Sequence, residues 1–286
     1  MSASSAAYKE LVYGGHLLAL GTSSIAATVA FLLGRVPSWD LLLMAYLFSF
    51  GAYSINRISD FEQDRVSHPQ RTAYLEGRRG SLVAISAISF VIGYALALAR
   101  NLVFFVGLLV PLALALAYSV GSRRMVGALG FSRLKEGILV KNVAISLGWA
   151  LIPVLVGLYY LELPLAILAL TPFIFLRLMV NTIFFDQRDV EADSAFGVRT
   201  IPAAFGLKKS SRVMDLLDLA SGVYVLAIVA ASLVPVFAVA LAVFTPYSIA
   251  YRTYAKRSER HSNSVRDLAA DGEYLLWGVV TYLGQL

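Results

Sequence analysis

Positions 163–193 carry the stretch LPLAILALTPFIFLRLMVNTIFFDQRDVEAD, in which a long apolar run ends in a group of carboxylates. The apolar part is long enough for one membrane-spanning helix, which needs roughly 20 mostly apolar residues. Its end has the pattern Asp186-x2-Asp189-x3-Asp193. On a helix these three side chains lie within about 60° of one another. The stretch therefore predicts an acidic face at the end of a helix that crosses a bilayer.

A second acidic group occurs earlier in the chain, again after an apolar run. Residues 56–64 read NRISDFEQD, with the pattern Asn56-x3-Asp60-x3-Asp64. Steps of four residues drift only about 40° around a helix, so these three side chains share one face. The sequence thus predicts two helix ends of similar chemistry.

The segments that follow the two acidic groups also match. A short loop leads from the first group to Arg71 and from the second to Arg199, and threonine follows each arginine. Two such patterns in matching contexts are typical of an internal repeat. We therefore expect a single domain, residues 1–286, built from repeats at roughly 38–160 and 163–286.

Composition places the chain in a membrane. Hydrophobic residues make up 58% of it and charged residues 15%, and its mean hydropathy of +0.72 is too high for a soluble domain of 286 residues. We expect an all-α, polytopic membrane bundle of about nine transmembrane helices. The predicted spans are 11–34, 38–58, 81–99, 102–120, 138–160, 163–186, 215–233, 236–251 and 272–286.

The basic residues predict the orientation of these spans. Lys and Arg crowd the connections between predicted spans 2–3, 4–5, 6–7 and 8–9, whereas the opposite connections carry only Arg35 and Arg100. The positive-inside rule then puts the basic connections in the cytoplasm, and both acidic groups at the cytoplasmic ends of helices 2 and 6. This count requires Pro235 to divide the apolar run 219–251 into a hairpin of two short helices.

The chemistry of the acidic groups indicates a divalent cation and a phosphorylated substrate. Seven of the 18 acidic residues fall in these two windows, on the side of the membrane that is otherwise basic. Carboxylates at helical spacing suit Mg²⁺, which keeps several waters and bridges to substrate phosphates. A diphosphate held between two such groups would be neutralised as it leaves, with Arg or Lys assisting.

The paired motifs, together with the later GVRTIP at 197–202 and PQRT at 69–72, resemble the UbiA superfamily of intramembrane prenyltransferases. That resemblance implies Mg²⁺-dependent transfer of a prenyl group from a prenyl diphosphate, such as geranyl or geranylgeranyl diphosphate, to a lipophilic acceptor through an allylic carbocation. The acceptor would be an aromatic quinone precursor or geranylgeranylglyceryl phosphate. Two Mg²⁺ ions would be coordinated by Asp60, Asp64, Asp189 and Asp193.

The resemblance also implies roles for neighbouring residues. Asn56 would lie near the first phosphate or the allylic carbon, with Asp186 in support of the second group. Arg71 and Arg199 would contact the diphosphate or form a cap over the cavity. At the end of predicted helix 4, Tyr118 and a following basic residue, Arg123 or Arg124, match a pattern of the family that binds substrate.

Several polar residues in or near the predicted spans allow two interpretations. Arg177 and Asn181 lie inside predicted helix 6, where they either contact substrate or bond to a neighbouring helix. Lys141 either meets phosphate or anchors its helix at the interface. The aromatics beside the motif helices either shield a carbocation or pack in the core. These aromatics are Tyr46, Phe48, Tyr53, Phe184 and Phe185.

Other functions fit the sequence less well. A polytopic transporter, or a binding protein for a phosphorylated lipid, is the alternative to an enzyme, but transporter sites normally lie near the bilayer midplane. The chain contains no cysteine, which excludes thiol catalysis. It also lacks a nucleotide-binding G-x4-G-K-[ST] loop and any nucleic-acid recognition motif. The expected partners are therefore a prenyl diphosphate, a lipophilic acceptor and membrane lipid.

Overall fold

The fold is helical throughout the part of the chain that the structure describes. The computed structural model describes residues 6–119, 139–257 and 266–286. The helices are α1 (His16–Leu32), α2 (Trp39–Ser59), α3 (Phe61–Ser67), α4 (Pro69–Glu76), α5 (Arg79–Arg100), α6 (Leu102–Gly107), α7 (Leu109–Ser119), α8 (Val140–Ala150), α9 (Ile152–Tyr160), α10 (Leu165–Ala195), α11 (Ile201–Phe205), α12 (Leu207–Ala230), α13 (Phe244–Arg257) and α14 (Asp271–Gln285). Shorter turns precede three of them: Ala6–Tyr8 with the π-helical turn Lys9–Tyr13 before α1, the 3₁₀ helix Val236–Val243 before α13, and the π-helical turn Arg266–Ala270 before α14.

Six helical segments of the described chain are long and apolar enough to cross a membrane. They are Trp39–Ser59, Arg79–Arg100, Val140–Tyr160, Leu165–Ala195, Leu207–Ala230 and Val236–Arg257. A seventh arises if Ala6–Tyr13 and α1, which meet at a bend of 58°, form one span. The predicted spans 102–120 and 272–286 correspond to shorter helices, so the count of nine stays a prediction. The chain is an integral, multi-pass membrane protein.

The central helix of the bundle is α10. Of its most apolar window 72% is buried, against 28% for α2 and for α5. Its side chains Ile167 and Ile183 are fully buried, and the helix packs against α8 and α12. By contrast, α5 exposes apolar side chains such as Val83 and Val91, as expected of a helix that faces lipid. The 31-residue length of α10 carries it beyond the apolar layer, so its last turns hold polar residues.

The hairpin predicted at Pro235 is present. Helix α12 ends at Ala230, Ser232 adopts a positive φ of 55°, and the chain restarts after Pro235 as the 3₁₀ helix that leads into α13. Because proline has no amide hydrogen, it suits the first position of a new helix and not the middle of a long one. The two arms pack against each other, and Thr245 donates a hydrogen bond to the carbonyl of Asp218.

A buried ionic network joins the helices of the second half of the chain. Arg177, only 2% exposed, donates from Nε and Nη2 to Glu273 at 3.0 and 2.6 Å, and from Nη1 to Asp218 at 2.5 Å. Its Nη2 also reaches the carbonyl of Phe244, and Arg252 binds the other oxygen of Asp218. These contacts favour the interhelical interpretation of Arg177 over direct substrate contact.

Replacing Arg177 by alanine is expected to destabilise the protein by about 3–5 kcal/mol, because Asp218 and Glu273 would lose a buried cation. Replacing Arg35 by alanine is the matched control, since its ion pair with Glu162 is largely exposed and worth at most about 1 kcal/mol. The unfolding temperatures of both variants and of the wild-type protein are measured in detergent. Equal unfolding temperatures for the two would contradict a stabilising role for the buried network.

Candidate active site

The first acidic group lies where α2 passes into α3. Asp60 has φ −103° and ψ 11°, so the helix is distorted there. The i→i−4 bonding nevertheless continues, with Asp60 N donating to Asn56 O at 2.9 Å and Asp64 N donating to Asp60 O at 2.8 Å. The three side chains therefore keep their helical spacing across the break.

The second acidic group belongs to the last turns of α10. Asp186 and Asp193 are 2% and 0% exposed, and the Asp189 side chain is 15% exposed. The helix continues to Ala195, and Thr200 then caps α11 by accepting a hydrogen bond from the amide of Ala203. All three carboxylates are thus held by one rigid element.

The structure brings the two acidic groups next to each other. The Gln63 amide on α3 donates to Asp193 Oδ1 at 2.8 Å. His68, which follows α3, places Nε2 at 3.6 Å from Asp189 Oδ1 and accepts a hydrogen bond from Arg188 at 3.0 Å. Arg188 also donates to Asp189 at 2.9 Å. These contacts define the site end of the bundle, where α3 meets the last turns of α10.

Lys141 at the start of α8 lies between two buried carboxylates. Its ammonium is 2.7 Å from Asp186 Oδ1 and 3.2 Å from Asp193 Oδ2. The neighbouring Asn142 donates from Nδ2 to Asp186 Oδ2 at 2.7 Å. With its side chain only 14% exposed, Lys141 is directed into the acidic site and is more than an interfacial anchor.

Arg71 on α4 binds the first acidic group. Its Nη2 is 2.9 Å from Asp64 Oδ2. Burial raises the pKa of Asp64, and the Arg71 charge opposes that shift. The Nε of Arg71 is buried and has no hydrogen-bond partner among the described residues. Arg71 therefore keeps one directed donor available beside the carboxylates.

An apolar cavity begins close to the site end and extends into the bundle. Asn56 lines its upper end, and Ala144 lines it one turn below Lys141. Phe48, Tyr53 and other side chains of α2 form one wall. The Tyr53 hydroxyl accepts a hydrogen bond from Trp149 at 3.1 Å, which fixes both rings. The polar site thus opens onto a space suited to a hydrocarbon chain.

The remaining predicted site residues are not all at this site. Asn181 donates to Asp271 on α14 at 3.4 Å, deeper in the bundle. Arg199 is exposed in the loop between α10 and α11. The Tyr118 side chain and Arg123 lie outside the described residues. Of the other predicted aromatics, Phe184 packs on Tyr251, away from the cavity.

Basic and amide side chains bind the carboxylate oxygens of the site. Among the described residues, no three His, Asp or Glu side chains lie close enough together to hold one metal ion. Lys141 and Gln63 contact Asp193, and Arg188 contacts Asp189. The donor chemistry suits Mg²⁺, since aspartate oxygens come from two adjoining elements. The amide oxygen of Asn142 is buried without a described partner and adds a further oxygen.

The N-terminal turn, Ala6–Tyr13, packs against the site end. Arg57 on α2 donates to the carbonyl of Tyr13 at 2.8 Å, and the Tyr13 hydroxyl donates to Gln70 at 3.1 Å. Gly15 permits the turn because its φ is +94°, and a Cβ there would lie 2.5 Å from Arg57 Nη1. Arg57 therefore joins the N-terminal turn to the helix that carries the first acidic group.

Comparison with known proteins agrees with this architecture. The UbiA prenyltransferase family matches residues 17–270 of the chain. The chain belongs to this family. It is therefore a membrane prenyltransferase, and family membership favours an enzyme over a transporter. The digeranylgeranylglyceryl phosphate synthase of Methanothermobacter thermautotrophicus is 33% identical over 225 residues, which cover 76% of this chain and 75% of that protein.

Solved structures of the UbiA family share the fold. A UbiA homologue from Archaeoglobus fulgidus bound to DMAPP and Mg²⁺ superposes with a TM-score of 0.66 at 16% identity, covering 96% of this chain and 98% of that one. A UbiA homologue from Aeropyrum pernix K1 in its apo form gives a TM-score of 0.65 at 18% identity, covering 94% and 96%. At these identities the likeness shows the fold alone.

Sequence reasoning missed several residues that this UbiA site brings together. Gln63 and Arg188 lie within the two acidic motifs, but the spacing of these motifs indicates a role only for their carboxylates. His68 follows the first motif closely, and His68-Pro69 begins the turn into α4. Spacing alone assigns no partner to these side chains, because their contacts cross between α3 and α10.

His68 gives the site a testable pH response. Burial, then the nearby Arg71 charge, lowers the pKa of His68 to about 3, so the folded protein holds a neutral imidazole that accepts the Arg188 hydrogen bond. In the unfolded chain His68 binds a proton with a pKa near 6.5. The contribution of His68 to the free energy of unfolding is therefore fully present above pH 6.5 and is lost as the pH falls towards 3. Between pH 7 and 5 the loss is roughly 2 kcal/mol.

The His68→Gln variant lacks this titration. On acidification from pH 7 to 5 in EDTA, we expect the unfolding temperature of the wild-type protein to fall further than that of the variant. Thermal unfolding in detergent at both pH values measures the difference. Parallel falls in the two proteins would show that His68 is not held neutral by the fold.

Proposed function

We propose that this protein transfers a prenyl group from a prenyl diphosphate to a lipophilic acceptor in a Mg²⁺-dependent reaction at the cytoplasmic face of the membrane. The observation that supports it is the contact of Gln63, within the first acidic motif, with Asp193 of the second, close to the upper end of an apolar cavity. Such a site offers oxygen ligands for a metal–diphosphate complex and an apolar space for the attached hydrocarbon. The basic connections predicted on this side support its cytoplasmic location.

The catalytic metal ligands in this proposal are Asp60, Asp64, Asp189 and Asp193, with Asp186 as a supporting carboxylate. Bound Mg²⁺ would polarise the diphosphate and neutralise the charge that develops on it. Two UbiA homologue structures, bound to Mg²⁺ with DMAPP and with GPP, support the choice of Mg²⁺ and a prenyl diphosphate as ligands of this site. The site residues support it too, because Lys141 and Gln63 have flexible ends that can release Asp193 when a cation arrives.

Basic side chains at the site would bind the diphosphate. Arg71 has a buried Nε donor with no described partner, which can point to a phosphate oxygen while Nη2 stays on Asp64. Lys141 is a mobile point charge that can move from Asp186 to the same phosphate. Arg199, exposed in the loop after α10, would cap the site from outside. These cations would hold the leaving group as the carbon–oxygen bond lengthens.

The cavity walls would receive the prenyl chain and exclude water from its reactive end. When the allylic carbon–oxygen bond breaks, the electron pair leaves with the diphosphate and the carbon becomes cationic. Asn56 and the ring of Tyr53 lie along the upper cavity and can stabilise that charge, whereas Phe48 lines the cavity about 12 Å further down and would contact the chain. A hydroxyl lone pair of the acceptor then forms the new bond and the hydroxyl proton leaves; for an aromatic acceptor, a ring π pair forms the bond and the ring proton leaves.

The acceptor we favour is a glyceryl phosphate lipid and not an aromatic quinone precursor. The relative at 33% identity is named for making digeranylgeranylglyceryl phosphate, a product with two geranylgeranyl groups. Transfer to geranylgeranylglyceryl phosphate would form such a product in one step. The acceptor phosphate would also suit the basic residues of the site end.

Alanine substitution of Asp60 or Asp189 is expected to lower transfer at least about 100-fold, because each removes a charged ligand from the reacting diphosphate. The matched controls are Glu62→Ala and Glu191→Ala, which remove exposed carboxylates from the same two motifs. Mass spectrometry of the prenylated product measures the rate with Mg²⁺ present and after chelation. Full activity of Asp60→Ala and Asp189→Ala, or activity in EDTA, would overturn the site assignment.

The acceptor is tested separately with a panel. Purified protein, Mg²⁺ and geranylgeranyl diphosphate are incubated with geranylgeranylglyceryl phosphate, a hydroxybenzoate or a hydroxynaphthoate. We expect a mass gain of one prenyl unit on the glyceryl phosphate. Transfer only to an aromatic ring would replace the lipid acceptor by a quinone precursor and leave the donor site unchanged.

A further inference from the structure

The apolar cavity has a measurable length. On α2 its lining runs from Asn56 at the site end to Leu41 near the opposite end of the helix. At about 1.5 Å per residue, that separation is about 22 Å. On α8 and α9 the lining ends at Val156, which at the same rise per residue lies about 22 Å from Lys141 at the site end. Both walls therefore describe a channel of one defined depth.

The far end of the cavity is closed. Leu41, Phe104 and Val156 line it there, and they are only 3%, 2% and 1% exposed. Phe104 comes from α6, which starts just after the turn at Asn101. Beneath it, Tyr159 packs its ring edge-on at a centroid distance of 5.5 Å. These side chains form the cavity floor: Leu41, Phe104 and Val156, with Tyr159 behind Phe104.

The floor is held in place by polar contacts at the end of the bundle opposite the site. The Tyr159 hydroxyl is 2.9 Å from an Asp40 oxygen and 2.6 Å from Ser38 Oγ. Arg100 lies over its ring at 4.3 Å from the centroid, and Asn101 donates to its backbone carbonyl. A tyrosine fixed at its hydroxyl, ring and backbone cannot easily move aside. A chain that reaches Phe104 therefore meets a rigid stop.

The depth of the cavity corresponds to a definite hydrocarbon length. An isoprene unit adds four chain bonds, which extend about 5 Å at ordinary carbon–carbon bond lengths. Four units therefore span about 20 Å, close to the depth measured on both walls. A fifth unit would have to pass Phe104.

We propose that the floor formed by Phe104 on Tyr159 sets the length of the prenyl donor at four isoprene units. This inference rests on the proposed function, since it assigns a specificity to the same cavity. Phe104 is the specificity-determining residue that the chain end touches. Tyr159 is a positioning residue that acts through Phe104.

Gly148 offers a way to shorten the cavity without disturbing its walls. It lines the cavity on α8, and a Cβ placed on it would meet no atom within 4 Å. It lies seven residues after Lys141, which places it about 10 Å below the diphosphate end. A large side chain there would block the channel after about two isoprene units. Gly80 is the matched control, since it is exposed at the start of α5 and also has open space.

The test compares kcat/KM for donors of two, four and five isoprene units in wild type, Gly148→Phe and Gly80→Phe. We expect wild type and Gly80→Phe to favour the four-unit donor over the five-unit donor by at least tenfold. In Gly148→Phe, kcat/KM for the four-unit donor should fall at least tenfold, while kcat/KM for the two-unit donor should change less than threefold. Equal losses for both donors, or an unchanged preference, would overturn the proposal.

The opposite change opens the floor. Phe104→Ala should raise kcat/KM for the five-unit donor, relative to that for the four-unit donor, at least fivefold. Tyr159→Phe keeps the ring but loses the Asp40 contact, so it should raise this ratio less. If Phe104→Ala fails to fold, Phe104→Leu serves in the same comparison. Wild type that transfers no donor with any acceptor would refute the proposed function itself. Wild type that transfers four and five units equally would refute only the floor.

Discussion

The pairing of buried carboxylates with cations from other helices is the constraint on which this structure depends. An unpaired charge in an apolar interior costs so much free energy that it is paired or neutralised. At the site end, Lys141 of α8 lies between Asp186 and Asp193 of α10. Deeper in the bundle, Arg177 of α10 binds Asp218 and Glu273. Each pair ties α10 to another helix, so the arrangement around the central helix follows from these contacts.

The two polar layers of α10 differ in how completely they are satisfied. All three guanidinium nitrogens of Arg177 have acceptors, and the layer around it is suited to holding helices together. At the site end, Arg71 Nε and Asn142 Oδ1 are buried without partners among the described residues. A layer with free donors and acceptors can exchange contacts when a ligand arrives. Helix α10 therefore carries two polar layers: the layer around Arg177 stabilises the bundle, and the layer at the site end can bind a ligand.

The cavity connects this chemistry to the opposite end of the bundle. Its upper end adjoins charged groups, and its floor rests on Tyr159, which is held by Asp40 and Ser38. Between these polar ends the walls are apolar, which is the distribution that an amphipathic substrate with one charged head requires. The site end of the cavity would thus carry the reaction, and the cavity floor would set the length of the substrate.

Much of this could be predicted from sequence because it is local. Hydropathy indicated the membrane, Pro235 indicated a hairpin, and four-residue spacing placed Asp60 and Asp64 on one face. The two acidic motifs also resemble those of the UbiA family, to which the chain belongs. The contacts of Arg177 could not be predicted, since Glu273 lies 96 residues away along the chain. Sequence position gives no distance between residues so far apart.

Periodicity and side-chain polarity act within a few turns, so the helical class, the membrane environment and the two acidic motifs can be read from the sequence. The meeting of His68 and Arg188 with Asp189, and of Phe104 with Tyr159 at the cavity floor, depends instead on the folded bundle. Those pairings depend on how neighbouring helices pack, and the packing is selected by burial and charge pairing summed over the whole bundle.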